Sequence, residues 1–538
     1  MVQLLRFLQS IYKNFKRPIF IREFETVASD ALGFTKEWML SCQDHPACSS
    51  TRLSVGLPKR ILDISASDGT VVLREIEGEK VPYATLSYRW GHGVPLRTTH
   101  STIAQHYAGI PLASFPRTLK HAILFAKGLG FQYIWIDALC IIQDDSLDWQ
   151  EQSAAMTAIY HGCLLNIAIA DAPNCNSGII QDMNGHSMRT WKNPSSWSNH
   201  RSSPLETRGW VFQETLVSVA SIYITDGGLV WDCCSRVCRQ NSEPSLATEG
   251  AQIHPNRSRT PKATWADQSQ ISHPGPTATK ELRTLRVWYE WVASFSRRNL
   301  SNAKDKLPAM AGLASRLQAA TSATYVAGLW KEDIHIGITW SAQRSESLKR
   351  LQNGAPSWSW ASVEGTLDFL WCLSVYCAYP GKVSVVEGLD LHILRVSANE
   401  VHPGTFGTVT GGRIDAFATM QRGTIDGSTG RLNFNFDLTR SGLEYALDEP
   451  QTQRDAPRPC WLLRVASIIP TREGGREVSW KRDGPFIHFL IVEEAGVKQD
   501  EFRRIGGAFI DGSAIRRRNI GWKTDLFKDG QRKGITLV

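Results

Sequence analysis

One stretch, residues 133–163, constrains the fold more than any other part of the chain. It reads YIWIDALCIIQDDSLDWQEQSAAMTAIYHGC and joins an apolar run, a cluster of carboxylates and an amphipathic pattern. The run at 133–142 is rich in aromatic and β-branched residues, which is typical of a strand buried on both faces. A carboxylate in such a strand is costly unless it is paired, so Asp137 indicates a polar partner. The stretch predicts a strand–loop–helix unit with a ligand site where the strand ends.

The neighbouring segments predict a parallel sheet with helical crossovers. Residues 83–91 and 164–171 have the pattern of buried strands, and an apolar stripe from Leu119 to Leu129 indicates a helix that stops at Gly130. This alternation of strands and helices is the rhythm of an α/β fold. Upstream, residues 59–80 predict a β-hairpin that turns at Asp68-Gly69.

The composition is that of a globular protein with more than one domain. Of the 538 residues, 42% are hydrophobic and 21% are charged. The net charge of +8 is scattered, and no basic run carries interleaved aromatic residues, so we expect no nucleic-acid partner. Eleven cysteines, an odd number, do not suggest a disulfide framework, and we expect a cytoplasmic protein without a transmembrane segment.

The first 22 residues contain five basic residues, no acidic residue and apolar residues at helical spacing. This pattern fits a helix docked on the body of the protein, and it also fits a targeting or membrane-surface helix. Both interpretations stay open at this point.

Four motifs resemble the heterokaryon incompatibility (HET) domain of filamentous fungi. In chain order they are YATLSYRWG, FPRTLKHAILFAKGLGFQYIWIDALCIIQDD, DWQEQSAAMTAIYHGC and RGWVFQETL, and together they span residues 83–214. The resemblance implies a role in fungal non-self recognition, in which a HET domain triggers programmed cell death. It also implies a core similar to that of Toll/interleukin-receptor (TIR) domains, many of which cleave the nicotinamide–ribose bond of NAD.

We therefore expect an α/β fold with a TIR-like open parallel sheet and flanking helices, followed by a helical segment and a β-rich C-terminal region. The expected divisions are an N-terminal segment with the basic helix and the hairpin (1–82), the HET domain (83–214), a linker and helical region (215–354), and a β-rich region (355–538).

Glu151 is the candidate catalytic residue. In the resemblance, DWQEQ looks like the start of the helix that carries the TIR catalytic glutamate, although TIR domains separate their tryptophan and glutamate by more residues than separate Trp149 and Glu151. A carboxylate against the ribose would stabilise the cation that forms when the bond breaks. The same residues also fit a capping box in which Asp148 is the N-cap and Glu151 reaches back to its amide. Both roles stay open.

The other candidates are ligand-binding residues near the ends of predicted strands. Arg89 can hold a phosphate and Trp90 can stack on a ring, but Arg89 can equally pair with Asp137 to neutralise it. Gln143 and Asp144 can orient a ribose or simply shape a turn. No glycine-rich phosphate loop is present, so a conventional dinucleotide-binding fold is not expected. The complete ligand-binding set is Ser87, Arg89, Trp90, Asp137, Gln143 and Asp144.

The cysteines do not define a metal site by spacing alone. A zinc site needs four ligands, and neither of two short clusters supplies them. No metal is assigned from the sequence, although one becomes feasible if the two clusters meet in space. The clusters are Cys42, His45 and Cys48, and Cys233, Cys234 and Cys238.

Two further groups are assigned to structure. Cys140 has His121 and Asp137 nearby in sequence, as a thiol enzyme would require, but a thiol inside an apolar strand is usually inert. The segment RGWVFQETL is interpreted as a helix packed on the core rather than as chemistry. It contains Arg208, Trp210, Gln213 and Glu214.

Two functions follow from these expectations. In the first, the protein is a cell-death effector whose core hydrolyses NAD or a related nucleotide, with NAD as a substrate and no resident cofactor. In the second, it is a non-enzymatic adaptor that acts by self-association of the HET domain. A separate sensor protein is an expected partner in either case, because the sequence contains no recognisable sensing module.

Overall fold

The computed structural model describes most of the chain, and every structural statement below concerns the described residues. The basic segment 1–22, on which the N-terminal helix was predicted, lies outside them. Two compact units divide the chain at residues 272 and 273. The described residues are 25–51, 58–76, 78, 81–91, 96–179, 203–240, 245–246, 279–343, 348–369, 385–426, 429, 431–434, 443–448, 456–469, 486–496, 498–510, 527 and 530–538.

The first unit is a layered α/β structure. Its helices are α1 (Glu25–Gln43), α2 (Pro46–Thr51), α3 (Ile103–Ala108), α4 (Arg117–Gly128), α5 (Asp137–Cys140), α6 (Ser146–Gly162) and α7 (Gly209–Val217). Its strands are β1 (Arg60–Asp63), β2 (Thr70–Glu75), β3 (Tyr83–Ser87), β4 (Ile110–Pro111), β5 (Tyr133–Trp135), β6 (Leu165–Ile169), β7 (Ala220–Thr225), β8 (Gly228–Cys233), β9 (Arg236–Arg239) and β10 (Ser245–Leu246).

Nine of these strands form one mixed sheet, in the order β10-β9-β8-β7-β6-β3-β5-β1-β2, and the short strand β4 extends it by pairing with β2. Only the four central strands, β7, β6, β3 and β5, run parallel to one another. The predicted α/β fold is therefore confirmed, but the sheet is mixed rather than wholly parallel. The outer strands are antiparallel because tight connections, such as the Asp226-Gly227 turn between β7 and β8, link successive strands.

The order of the central strands creates a switch point. Strand β5 follows β3 in the chain and lies on one side of it, whereas β6 and then β7 lie on the other side. Crossover connections leave β3 and β6 in opposite directions, which is the arrangement at which doubly wound folds place a ligand crevice. This edge of the sheet is where a doubly wound fold binds ligands.

The predicted strand at 133–142 is shorter than its apolar pattern suggested. Strand β5 ends at Trp135, and the next residues form the helical turn α5, in which Cys140 N donates to Ile136 O at 2.8 Å. Asp137 starts this turn by accepting the Ala138 amide on Oδ1 at 2.7 Å. The run is apolar because both the strand and the turn are buried, and periodicity alone cannot separate them.

The predicted hairpin is confirmed. Strands β1 and β2 pair antiparallel from Arg60–Glu75 to Asp63–Val72. Gly69 supplies the left-handed conformation of the turn, with φ of 80°, and Asp68 Oδ1 accepts the Thr70 amide at 2.9 Å.

A buried ion pair joins this hairpin to α6. The guanidinium of Arg60 donates to Asp148 Oδ2, and Arg60 Nε donates to Cys140 O at 2.9 Å. Asp148 Oδ2 also accepts the Ile142 amide at 2.8 Å. Because Arg60 is only 2% exposed, its charge depends on Asp148 for compensation.

The interpretation of Asp148 as the N-cap of α6 was wrong, because the helix begins about one turn earlier in the chain. Helix α6 begins at Ser146, and its N-cap is Asp145, whose Oδ1 accepts the amides of Leu147 and Asp148 at 2.9 and 3.1 Å. Asp148 lies inside the first turn and is turned toward Arg60. Asp145 takes the cap because its backbone is extended, with φ of −111° and ψ of 108°.

The second unit combines helices with a β-rich region, as the pattern of short β-runs predicts. Its helices are α8 (Thr279–Phe295), α9 (Pro308–Thr321) and α10 (Ile334–Gly337). Its short strands are β11 (Tyr325–Val326), β12 (Leu329–Trp330), β13 (Ser341–Ala342), β14 (Lys349–Arg350), β15 (Val363–Glu364) and β16 (Leu367–Asp368). The remaining strands are β17 (Val385–Leu389), β18 (His392–Glu400), β19 (Val409–Ile425), β20 (Leu432–Phe434), β21 (Leu443–Leu447), β22 (Arg458–Ile469), β23 (Phe486–Glu494), β24 (Glu501–Ile510) and β25 (Gln531–Leu537).

Five of these strands close into a barrel, in the order β22-β23-β24-β25-β19, because β19 also pairs with β22. A buried arginine fixes one side of it: Arg504 binds Asp448 through Nε and Nη2, both at 3.1 Å, and lies 3.3 Å from the ring centre of Trp340. Closure pairs the strand edges that would otherwise be exposed. In neither unit do the described helices include one that is both long and apolar enough to cross a membrane.

Substitution of Asp148 and of Glu151 by alanine should have very different effects on stability. The Asp148→Ala change leaves the buried Arg60 guanidinium without a counter-charge, and we expect it to lower the free energy of unfolding by about 3–5 kcal/mol. Glu151→Ala removes an exposed ion pair with Lys59 and should cost less than about 1 kcal/mol. Urea unfolding of the full-length variants measures both effects, and equal losses would contradict this assignment.

Candidate functional site

A buried polar cluster lies at the switch point between β3 and β6. Ser87, the last residue of β3, donates from Oγ to Glu214 Oε2 at 2.5 Å, and its Oγ is 3.2 Å from Asn166 Oδ1 on β6. Thr85 Oγ1, two residues back on the same face of β3, is 3.1 Å from the same Asn166 oxygen. The predicted site residue Ser87 therefore contacts a glutamate on α7.

Glu214 is the most perturbed carboxyl group of this cluster. It is 3% exposed, and burial raises its pKa from 4.5 to about 7, against the opposing effects of Arg208 and of the hydrogen bond from Ser87. Helix α7 holds it there because its neighbours Val211, Phe212 and Leu216 are also buried. A carboxyl group that changes charge near neutral pH is suited to acid–base or electrostatic catalysis.

Asp137 forms the second acidic position, at the carboxyl end of β5. Its Oδ2 accepts the indole N–H of Trp90 at 2.9 Å. Burial raises the pKa of Asp137, and the positive charge of Arg208 opposes the rise. Arg208 also donates from Nη1 to Tyr88 O, and its positive charge opposes the rise in the pKa of both Asp137 and Glu214.

The predicted pairing of Arg89 with Asp137 is therefore wrong. Strand β3 ends at Ser87, and in the segment that follows it the side chain of Trp90, not that of Arg89, reaches Asp137. Within the described part of the chain, the half-buried Arg89 has no hydrogen-bond or ion-pair partner. The hydroxyl of Tyr88 is fully buried and faces Asp137, and burial together with the negative charge of Asp137 raises the pKa of Tyr88.

Gln143 and Asp144 hold the loop after α5. The Gln143 amide donates to the carbonyls of Asp137 and Ile141, both at 3.1 Å, and Asp144 Oδ1 accepts the His100 amide at 2.9 Å. The structure thus shows both in loop-shaping contacts, and Gln143 touches the site through the backbone of Asp137.

Glu151 lies apart from this cluster. Its side chain is 61% exposed, and its Oε2 is 2.9 Å from Lys59 Nζ, its one polar partner among the described residues. Helix α6 turns Gln152, Met156 and Tyr160 toward the sheet, which leaves Glu151 on the outer face. The structure does not bring Glu151 together with Ser87, Arg89, Trp90 or Asp137.

Cys140 is buried in the core of the first unit. Burial raises the pKa of its thiol to about 12, so the nucleophilic thiolate is not populated near neutral pH. His121 accepts the Ile179 amide on Nδ1 at 3.1 Å, and burial lowers the pKa of its ring to about 4. These contacts favour the structural interpretation of Cys140.

The two cysteine clusters meet in space. Cys42, His45, Cys48 and Cys233 are all buried, and their ligand atoms lie within 4.8 Å of one another. No metal was assigned from the sequence because 184 residues separate Cys48 from Cys233, and only the fold brings them together.

Sequence reasoning missed Glu214, Arg208 and Asn166 as site residues. The segment GWVFQETLV could have indicated Glu214, because it is the one charged residue in a helix that is otherwise mostly apolar. The same argument that selected Asp137, a carboxylate in an apolar element, applies to Glu214. Asn166 gave a weaker signal, as one amide inside the apolar strand LNIAI.

The raised pKa of Glu214 predicts a specific dependence of stability on pH. A carboxyl group with a folded-state pKa near 7 and an ordinary unfolded-state value stabilises the fold fully below about pH 4.5, and that contribution is lost as pH rises through about 7. The stability of wild type relative to Glu214→Gln should therefore fall by roughly 3 kcal/mol over this range. Urea unfolding of both proteins between pH 5 and 8 measures the difference, and a difference that is constant with pH would contradict the assignment.

Comparison with known families places this site in a recognised domain. Residues 83–214 match the family model of the heterokaryon incompatibility protein (HET), a range that contains Ser87, Asp137, Asn166, Arg208 and Glu214. Neither the curated proteins nor the solved structures include a significant match to the chain. This segment of the chain is therefore similar to the HET domain.

Proposed function

We propose that the protein is a cell-death effector of fungal heterokaryon incompatibility whose HET domain hydrolyses the nicotinamide–ribose bond of NAD or a related nucleotide. The observation that carries this proposal is the buried Glu214, which bonds Ser87 at 2.5 Å at the switch point of the sheet and has a pKa of about 7. This position is where doubly wound folds bind nucleotides.

The proposed reaction needs one carboxylate against the ribose. The bond between ribose C1′ and the nicotinamide nitrogen breaks with its electron pair going to the nitrogen, so neutral nicotinamide leaves. Positive charge develops on the ribose, and ionised Glu214 stabilises it. Water then adds to C1′, which gives ADP-ribose and releases one proton. The hydroxyl of Ser87 orients the carboxylate, and Arg208 favours its ionised form.

The same cluster offers groups for the rest of the nucleotide. Arg89 has a free guanidinium fork among the described residues, which suits a phosphate. Asp137 holds the indole of Trp90 by a 2.9 Å hydrogen bond, so the ring has a fixed orientation for stacking. Trp210 and Glu214 stand four residues apart, which agrees with the wider tryptophan–glutamate separation of TIR domains better than Trp149 and Glu151 do.

A second candidate function is the non-enzymatic adaptor that acts by self-association. One observation favours it: Ser87, Asn166 and Glu214 are each no more than 3% exposed and satisfy one another by hydrogen bonds. A closed network of this kind also serves to fix a unique core. In that case the carboxylate of Glu214 is an architectural group, and the domain signals through its surface.

Nicotinamide release from NAD by the full-length protein distinguishes the two functions. We expect the wild type to release nicotinamide and Glu214→Gln to lose at least about 100-fold of the rate, because glutamine keeps the shape but not the charge. Glu151→Gln is the matched control, since it removes an exposed carboxylate from the same domain. The wild-type rate should rise with pH through about 7 as Glu214 ionises.

Three outcomes count against this assignment. Loss of activity in Glu151→Gln with full activity in Glu214→Gln would move the chemistry to α6. Activity equal to that of the wild type in both variants would show that neither carboxylate takes part in the reaction. An absence of nicotinamide release in every oligomeric state, together with cell death that survives Glu214→Gln in a fungal host, would favour the adaptor.

A further inference from the structure

A second group of chemically active side chains lies outside the switch-point cluster, where α1 and α2 meet strand β8. Cys42 is the second-last residue of α1, His45 lies in the link to α2, and Cys48 is in the first turn of α2. Cys233 is the last residue of β8. All four are buried, with exposed fractions of 0% for the three cysteines and 6% for His45.

The separations between the ring nitrogen of His45 and two of the sulfur atoms match those of a tetrahedral zinc site. His45 Nδ1 is 3.7 Å from Cys48 Sγ and 3.6 Å from Cys233 Sγ. Around a tetrahedral zinc ion, with Zn–S of about 2.3 Å and Zn–N of about 2.0–2.1 Å, a nitrogen and a sulfur ligand lie about 3.6 Å apart. The observed separations therefore leave room for one metal ion at the centre of the group.

The chemistry of the group selects the metal. Three sulfur ligands and one imidazole are a recognised structural zinc set, and soft thiolates disfavour magnesium and calcium. Within the described chain, the ring of His45 has no polar neighbours other than these sulfurs, and its Nε2 is unbonded. The thiols next to Nδ1 are weak hydrogen-bond partners for a buried imidazole, and a metal ion bound at Nδ1 would replace these weak contacts by a strong one. Ser235 Oγ lies 3.6 Å from Cys48 Sγ, where its hydroxyl can donate to the thiolate and orient it toward the metal.

We propose that Cys42, His45, Cys48 and Cys233 bind one Zn²⁺ ion that fixes α1 and α2 to the sheet. Since four protein ligands fill a tetrahedral site, the ion has no open position for substrate, and its role is structural. The bound ion would join segments 184 residues apart in the chain. It would act beside the contact between Trp38 on α1 and Trp231 on β8, whose ring centres are 6.3 Å apart.

Metal analysis of the full-length protein tests this site. Wild-type protein purified from zinc-supplemented medium should contain about one zinc per chain, and Co²⁺ in its place should give the visible spectrum of a tetrahedral thiolate complex. Cys48→Ser and Cys233→Ser should each lower zinc affinity by at least about tenfold. Substitution of residues that only hydrogen-bond the ligands of a metal site already lowers metal affinity by about that factor. Cys238→Ser is the matched control, because Cys238 is buried on the adjacent strand β9 but is not part of the group.

The wild-type measurement keeps the test decisive even if the cysteine variants fail to fold. Wild type that contains no zinc and binds no Co²⁺ overturns the proposal, as does a disulfide between any two of Cys42, Cys48 and Cys233. Zinc that survives both ligand substitutions, or that is lost equally from Cys238→Ser, also overturns it. Because zinc content is measured without a substrate, its result is independent of whether the HET domain cleaves NAD.

Discussion

The burial of a carboxyl group between β3, β6 and α7 is the constraint around which the first unit is organised. Glu214 lies where a parallel sheet is covered by a helix, so water cannot solvate it and only protein groups can. Ser87 meets it from β3, and Arg208 supplies positive charge from the residue that precedes α7. These partners fix the register of three elements at once. A shift of one residue in β3 would turn Ser87 to the opposite face of the sheet.

The segment 137–151 contains several acidic residues. Where each one lies in the fold decides whether it stabilises the structure or belongs to the candidate site. Asp145 caps α6, Asp148 neutralises Arg60, and Glu151 pairs with Lys59 on the surface. Asp137 alone among them reaches the switch point, because it directly follows the end of β5. The fifth acidic residue, Asp144, accepts the His100 amide in the loop before α6. One cluster in sequence thus serves five different purposes.

Local patterns predicted much of this fold, and long-range contacts account for what they missed. The hairpin at Asp68-Gly69, the strand at Tyr83–Ser87 and helix α4 follow from turn chemistry and apolar spacing, which are properties of neighbouring residues. Strand β5 was predicted too long because a buried turn and a buried strand have the same apolar composition. Glu214 was set aside because its partner Ser87 lies 127 residues earlier in the chain. The grouping of Cys233 with Cys42 could not be predicted for the same reason. The spacing of residues in a sequence does not show which strand end lies next to which helix.

The segment that matches the HET family is smaller than the sheet that contains it. Residues 83–214 hold three of the parallel strands, β3, β5 and β6, but β1 pairs with the free edge of β5 and β7 pairs with the free edge of β6. A fragment cut at these bounds would expose two strand edges and would separate Asp148 from Arg60. It would also end at Glu214 and so remove the last three residues of α7, which ends at Val217. The folding unit that contains the HET-like segment therefore includes at least β1 and β7, the strands that pair with its two edges.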